Sequence, residues 1–314
     1  MVVAVGASAG GVEALWTFLA ALPNDLPAAV VVVLHIPPHT PTRLDRVLQQ
    51  RSALPVKIAE DGETLALGTV YVAREDHHLM VDGSTILVAR GPKECRVRPS
   101  VNVLFRSIAE SCGTRAIGVV LSGALDDGTA GAWIIKRKGG HVFAQAPDDA
   151  FCDSMPGSVA AHVAVDGVAS AQTLAQLVEH AVLRAKIDVS APITGFGIES
   201  QLAAGDCREP ADVFQLGAPS RYACPECRGV LARIEEGNIV RFRCHTGHGY
   251  SQMTLAAALD RDIHESLWSA LRALEEKILL MQARASDGEE EDADLSDAKS
   301  RREALRRMLL LDRP

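Results

Sequence analysis

The chain has 314 residues, more than one average domain needs, and 47% of them are hydrophobic, ample for a large buried core. Its formal net charge of −8, from 32 basic and 40 acidic residues, argues against a nucleic-acid binder, which wants a basic surface. Cys95, Cys112, Cys152, Cys207, Cys224, Cys227 and Cys244 are odd in number and scattered, no basic segment precedes the opening apolar run, and the apolar stretch 28–36 is far short of a membrane span. The expectation is a cytoplasmic chain with reduced thiols and no membrane insertion.

Residues 2–5 form a continuous apolar strand that feeds Gly6-Ala7-Ser8-Ala9-Gly10. Leu15, Phe18, Leu19 and Leu22 then recur at helical spacing, and Pro23 closes the helix. A second buried strand, 28–34, ends in Leu34-His35-Ile36-Pro37-Pro38. Segments 70–73 and 86–89, on either side of Asp82-Gly83, read as a hairpin-type pair. A helix is expected over 101–109, a strand over 116–121, a helix over 132–137, a strand over 141–144 and a final helix over 171–186. Continuous apolar strands separated by helices imply an α/β fold: a three-layer, doubly wound, mostly parallel and Rossmann-like sheet over residues 1–186. Residues 187–220, punctuated by proline and glycine, read as a linker. Residues 221–250 form a compact cysteine/histidine module, and 251–314 a helical tail interrupted by an acidic stretch, 286–297.

Gly-x-Ser-x-Gly between a strand and a helix is a setting in which a serine becomes a nucleophile, with free helix-start N–H groups offered to an oxyanion. Such a serine needs a base and a group to orient it, and in a parallel sheet these lie at strand C-terminal ends. Ser8 follows the first strand, His35 ends the second, and Asp126 and Asp127 follow the strand 116–121. A dinucleotide-binding turn is the main rival, but it wants an acidic residue where His35 and two prolines stand. Asp-Asp-Gly also serves as a turn or cap, which leaves a division of labour between the two aspartates open.

Residues 6–11, 33–38 and 121–131 resemble the signature loops of the chemotaxis protein-glutamate methylesterase family. The likeness runs on through 58–62, 70–78, 98–105 and the Met155-Pro156 turn, covering about residues 2–182. It implies Ser8 as nucleophile, His35 as base, Asp127 as orienting carboxylate, and the backbone N–H groups of Ala9 and Ala124 as oxyanion donors. No cofactor is implied for catalysis. The implied substrate is a methylated chemoreceptor-type protein, whose glutamyl methyl esters become glutamate and methanol, with deamidation of receptor glutamine by the same chemistry. The sequence departs from the family pattern at Leu34, usually glutamine; Asn102, usually aspartate; Ala124, usually methionine; and Leu125, usually glycine. Since the first strand starts at residue 2, a catalytic domain without a receiver domain is expected. A serine esterase for a different small ester, and a non-catalytic scaffold acting through the module and helices, are the alternatives.

Cys224-Pro-Glu-Cys227, sixteen residues, then Cys244-His-Thr-Gly-His248 has zinc-site spacing. The expected ligands of a structural zinc are Cys224, Cys227, Cys244 and His248, with His245 the rival fourth, around a hairpin at 231–242. A filled ligand set would make the ion structural, against a zinc-hydrolase reading. From Thr254 an apolar stripe, Leu255 to Met281, marks a long helix and helix resumes over 298–311. A hairpin within the chain, a homodimer through these helices or a docking arm are open readings of the tail.

Overall fold

The computed structural model describes residues 1–36, 43–185, 195–205, 210–285 and 293–311. Cys207, parts of the expected linker and residues 286–292 of the acidic stretch lie outside the described residues. The chain divides into two compact units, Met1–Leu255 and Ala256–Pro314.

The first unit is built on a seven-stranded sheet. In chain order its strands are β1 (Val2–Ala7), β2 (Ala29–Leu34), β3 (Val56–Ile58), β4 (Val70–Val72), β7 (Ala116–Val120), β8 (His141–Gln145) and β9 (Gly167–Ala169). Their spatial order is β3-β4-β2-β1-β7-β8-β9, and every pairing is parallel. β1 and β2 are apolar on both faces, as strands covered on both sides must be. Val3, Val5, Val30 and Val32 pack with α1 (Gly11–Ala20) and α6 (Ala171–Arg184). Ala4, Val31 and Val33 face α3 (Val101–Cys112) and α4 (Thr129–Arg137) on the other side. This alternation yields the three layers. The chain leaves β1 first toward β2 and later returns to pair β7 on its other edge, so β1 lies at the switch point where α/β sheets open a crevice at their carboxyl ends.

Two expectations are corrected. Segment 70–73 is not half of a hairpin: β4 sits inside the parallel sheet, between β3 and β2. The hairpin joins β5 (His78–Asp82) to β6 (Thr85–Ala89) around Gly83. Its first strand hides a buried Leu-Met-Val core between polar ends, which α3 covers. Ser107 Oγ of α3 accepts from the Val81 N–H and Ser111 Oγ donates to the Val81 carbonyl. Met155-Pro156 is not a turn but the first turn of α5 (Ser154–His162), where proline forfeits no intrahelical bond. Short α2 (Leu44–Gln49), three-residue β3 and β9, and α5 carry too little periodicity to be read in advance.

The cysteine/histidine segment is a four-stranded antiparallel sheet: β10 (Ala218–Ala223), β11 (Val230–Glu236), β12 (Ile239–Cys244) and β13 (Gly249–Ser251). Within the first unit it packs on the α/β core. The Cys95 N–H donates to the Gly249 carbonyl at 2.8 Å, and the Gly249 N–H donates to the Lys93 carbonyl at 3.1 Å. Beneath lies a buried ionic cluster. Glu199 of α7 (Ile198–Ala203) accepts from Arg241 at 2.6 and 2.9 Å and from Arg243 at 2.8 Å, while Glu94 accepts from Arg106 of α3 at 2.6 Å and also from Arg243. Burial alone would push the Glu94 carboxyl up, but Arg106 and Arg243 outweigh it and hold it down at about 2. α8 (Gln252–Ala285) starts in this unit. In the second unit, Ile278 of α8 packs with Leu295 and Ala298 of α9 (Ala293–Leu311), and Arg306 pairs with Glu275 at 2.6 Å. No helix among the described residues is long and apolar enough to cross a membrane.

Candidate active site

The parallel register sets Ser8, His35 and Ser122 side by side. Ala7 pairs with Leu34 and Gly6 with Val120, so Ser8 and His35, the first residues past β1 and β2, and Ser122, the second past β7, meet at one edge. The His35 N–H donates to the Ala7 carbonyl at 3.0 Å, and the Ser8 N–H to the Ser122 carbonyl at 2.8 Å. The motif glycines make this turn possible. A Cβ on Gly6 would lie 2.3 Å from a Val101 methyl, so only glycine lets the start of α3 press against β1. Gly10 takes φ +71° as the residue that opens α1, a conformation L side chains rarely adopt.

Asp127 is nearly fully buried and its Oδ2 meets His35 Nε2 at 2.9 Å. Its carboxylate also caps α3. Oδ2 accepts from the Val101 N–H at 2.7 Å, and Oδ1 accepts from the Asn102 N–H at 3.0 Å, the Ser100 hydroxyl at 2.9 Å and the Gly128 N–H at 3.0 Å. A helix N-terminus presents unsatisfied N–H groups and partial positive charge, a setting that suits the oxygens of Asp127 as acceptors. With Nε2 turned to Asp127, Nδ1 is the ring nitrogen left for a serine, the reverse of the familiar triad orientation. Ser8 is half-buried; Ala9 and Ala124 are exposed beside it.

The sequence reading missed the residues that brace this edge. Ser122 Oγ donates to the Ala9 carbonyl at 2.6 Å and accepts from the Cys152 N–H at 2.9 Å. His78, fully buried, accepts from the Ser100 N–H through Nδ1 at 3.3 Å and donates from Nε2 to the Pro92 carbonyl at 2.9 Å. Burial pushes its pKa down to about 4, so it stays neutral. The signal for Ser100 is present in the chain, a serine directly before an apolar helix, the usual N-cap pattern. Of the two aspartates, Asp126 points elsewhere, accepting from Ser251 Oγ at 2.8 Å.

The departures at the rim have visible consequences. Leu125 is about one-third exposed and sits at φ +65°, the left-handed region that suits glycine. Asn102 Oδ1 accepts from the N–H groups of Gly128 and Gly131 at 3.0 and 2.9 Å, a task an aspartate would also do but with a second charge beside Asp127.

In the small sheet, Cys224, Cys227, Cys244 and His248 bring their ligand atoms within 4.8 Å of one another. Cys227 and Cys244 Sγ are 3.5 Å apart, and His248 Nδ1 lies 3.5 Å from Cys244 Sγ and 3.7 Å from Cys224 Sγ. A tetrahedral zinc with bonds of about 2.3 Å to sulfur and 2.0–2.1 Å to nitrogen requires separations of about 3.8 and 3.5 Å, so the four residues fit. His245 is exposed and packs over Gly229 instead. The Cys244 thiol is drawn down to about 7, chiefly by a side-chain hydrogen bond with the free thiol of Cys224.

The family described as CheB methylesterase matches residues 3–178. Over 166 residues the chain is 43% identical to "Protein-glutamate methylesterase/protein-glutamine glutaminase 2" of Methanosarcina acetivorans, covering 50% of this chain and 47% of that protein. It is 41% identical over 176 residues to a homologous "Protein-glutamate methylesterase/protein-glutamine glutaminase 3" of Anaeromyxobacter dehalogenans, covering 55% and 52%. The chain thus spans about half the length of these curated relatives. The Thermotoga maritima CheB methylesterase catalytic domain superimposes with a TM-score of 0.55 at 34% identity, covering 57% of this chain and 97% of that one. A parallel sheet with its serine turn at the switch point and a match that takes in more than half of the residues lead to one conclusion: the chain belongs to the CheB methylesterase family, whose members are hydrolases of methyl esters.

Proposed function

We propose that this chain is a protein-glutamate methylesterase using Ser8, His35 and Asp127. His35, through Nδ1, takes the Ser8 proton as Oγ attacks the ester carbonyl of a glutamyl side chain. Asp127 fixes the ring and stabilises the imidazolium. The Ala9 and Ala124 N–H groups receive the oxyanion, each worth about 3 kcal/mol of barrier. His35 returns the proton to the departing methoxide, methanol leaves, and an attacking water, deprotonated by the same ring, frees glutamate from Ser8. A glutamine amide follows the same course and loses ammonia. The observation that carries this reading is the His35–Asp127 pair anchored on the α3 N-terminus one strand away from Ser8. The substrate would be a methylated chemoreceptor-type protein, and free thiols at Cys95, Cys112 and Cys152 agree with a reducing cytoplasm. Methanol release from methylated receptor tests it: wild type releases methanol and Ser8→Ala does not, whereas equal rates overturn the enzyme reading. Leu125 at the rim favours a second reading, an esterase for another carboxylic ester; release from small esters alone would select it.

For the cysteine/histidine cluster the reading is one structural zinc held by Cys224, Cys227, Cys244 and His248, supplying cross-links that a module of this size lacks in its own core. Purified protein then carries one equivalent of zinc, and less than about half an equivalent counts against it. For the tail the reading is self-association through α8 and α9, supported by the exposure of Ile263, Trp268, Leu279 and Leu280. Sedimentation showing a monomer at working concentrations removes it.

A further inference from the structure

Ser251 lies at the junction of β13 and α8, outside the family match of residues 3–178. It forms a reciprocal cap at the start of α8: the Thr254 N–H donates to Ser251 Oγ at 3.0 Å, and the Ser251 N–H to Thr254 Oγ1 at 2.8 Å. With both N–H groups satisfied, the Ser251 hydroxyl proton is free to point outward, and it goes to Asp126 Oδ1 at 2.8 Å. Asp126 adjoins Asp127 and lies two residues after Ala124. The partner of this hydroxyl is therefore the very loop that carries the orienting carboxylate and one oxyanion donor.

Asp126 and Ser251 both line a cavity of about 170 Å³ that also reaches Asn102 and Thr129. Ser251 itself is firmly placed. Gly249, two residues earlier, bonds to Lys93 and Cys95 of the α/β core, and His248, just before it, belongs to the cysteine/histidine cluster. Burial raises the Asp126 carboxyl, and the hydrogen bond from the Ser251 hydroxyl opposes that rise.

We propose that Ser251 is a positioning residue for the active site, pinning Asp126 so that the 124–127 loop presents Asp127 to His35 and the Ala124 N–H to the ester. The proposal rests on the catalytic reading above. It assigns the small sheet a part in catalysis that the family's own span does not contain.

The test uses the full chain in two assays: methanol release from methylated receptor, and the rate at which a fluorophosphonate labels Ser8. Ser251→Ala is expected to lower kcat and the labelling rate about fivefold, the rate equivalent of one hydrogen bond of about 1 kcal/mol, with KM unchanged. Ser251→Thr, which keeps the hydroxyl, restores both. Asp126→Ala reproduces the loss from the other side, and the double variant is no slower than the worse single one. An unchanged kcat and labelling rate in Ser251→Ala, or additive effects, overturn the proposal; so does a loss confined to KM. If Ser251→Ala does not fold, Asp126→Ala against wild type decides by the same measures. Labelling of wild-type Ser8 without methanol release would sink the substrate reading alone, and the labelling rates would still judge Ser251. Absence of both in wild type sinks the catalytic reading and this proposal with it.

Discussion

Ser8, His35 and Asp127 each have a distinct failure mode. On the proposed mechanism Ser8→Ala removes the nucleophile, and Asp127→Asn sets an NH2 donor against the N–H groups that the carboxylate accepts from and favours the wrong tautomer of His35; both are expected to lower kcat by about 10⁴-fold or more, read as methanol release. Leu125→Gly is expected to stabilise the protein. Without a Cβ, glycine holds the same φ of +65° free of the strain of about 1–2 kcal/mol that leucine carries there, partly offset by about 0.5–1 kcal/mol of added freedom in the unfolded chain. A lower melting temperature for that variant would contradict the strain argument. The placement of Ser8, His35 and Asp127 at one edge was legible because each follows an apolar strand, and parallel strands aim their carboxyl ends at one edge. The nitrogen that faces Asp127 was not legible, since ring orientation depends on packing around α3 rather than on any neighbour of His35 in the chain.

At the scale of elements, α3 organises the site: its N-terminus holds Asp127, its flank satisfies β5, and Ser100 at its start leans on His78. His78 makes the region acid-sensitive. Its folded pKa of about 4 lies below the 6.5 of an unfolded histidine, so the unfolded chain binds more protons between those values. Stability is therefore complete above pH 6.5 and falls by about 3 kcal/mol as pH drops toward 4. Denaturant melts across that window are expected to show the loss, and His78→Gln to flatten it. β5 escaped the sequence reading for the same reason that α3 matters: its burial comes from a helix that follows it in the chain, and its own ends are polar. β4 was read as a strand but given the wrong partner, because a three-residue apolar run says nothing of which neighbour it will pair with.

For the molecule as a whole, the α/β layering could be read from alternating apolar runs, whereas the seating of the small sheet on it could not. That seating depends on Glu94, Arg106, Glu199, Arg241 and Arg243, charges far apart in sequence that give no local sign of being buried together. Glu199→Gln is expected to destabilise the first unit by about 3–5 kcal/mol, because it strands buried guanidinium groups; urea melts measure it, and a loss below about 1 kcal/mol would mean water enters the cluster. Asp127 is gripped largely by the main chain. Three of its donors, at Val101, Asn102 and Gly128, are main-chain N–H groups. At Val101 and Asn102 homologues can exchange the side chain without deleting the donor, which only proline erases, whereas Gly128, at φ +100° with a Val101 methyl 2.9 Å from where a Cβ would stand, is held to glycine. The site is therefore buffered against sequence drift where it most needs rigidity.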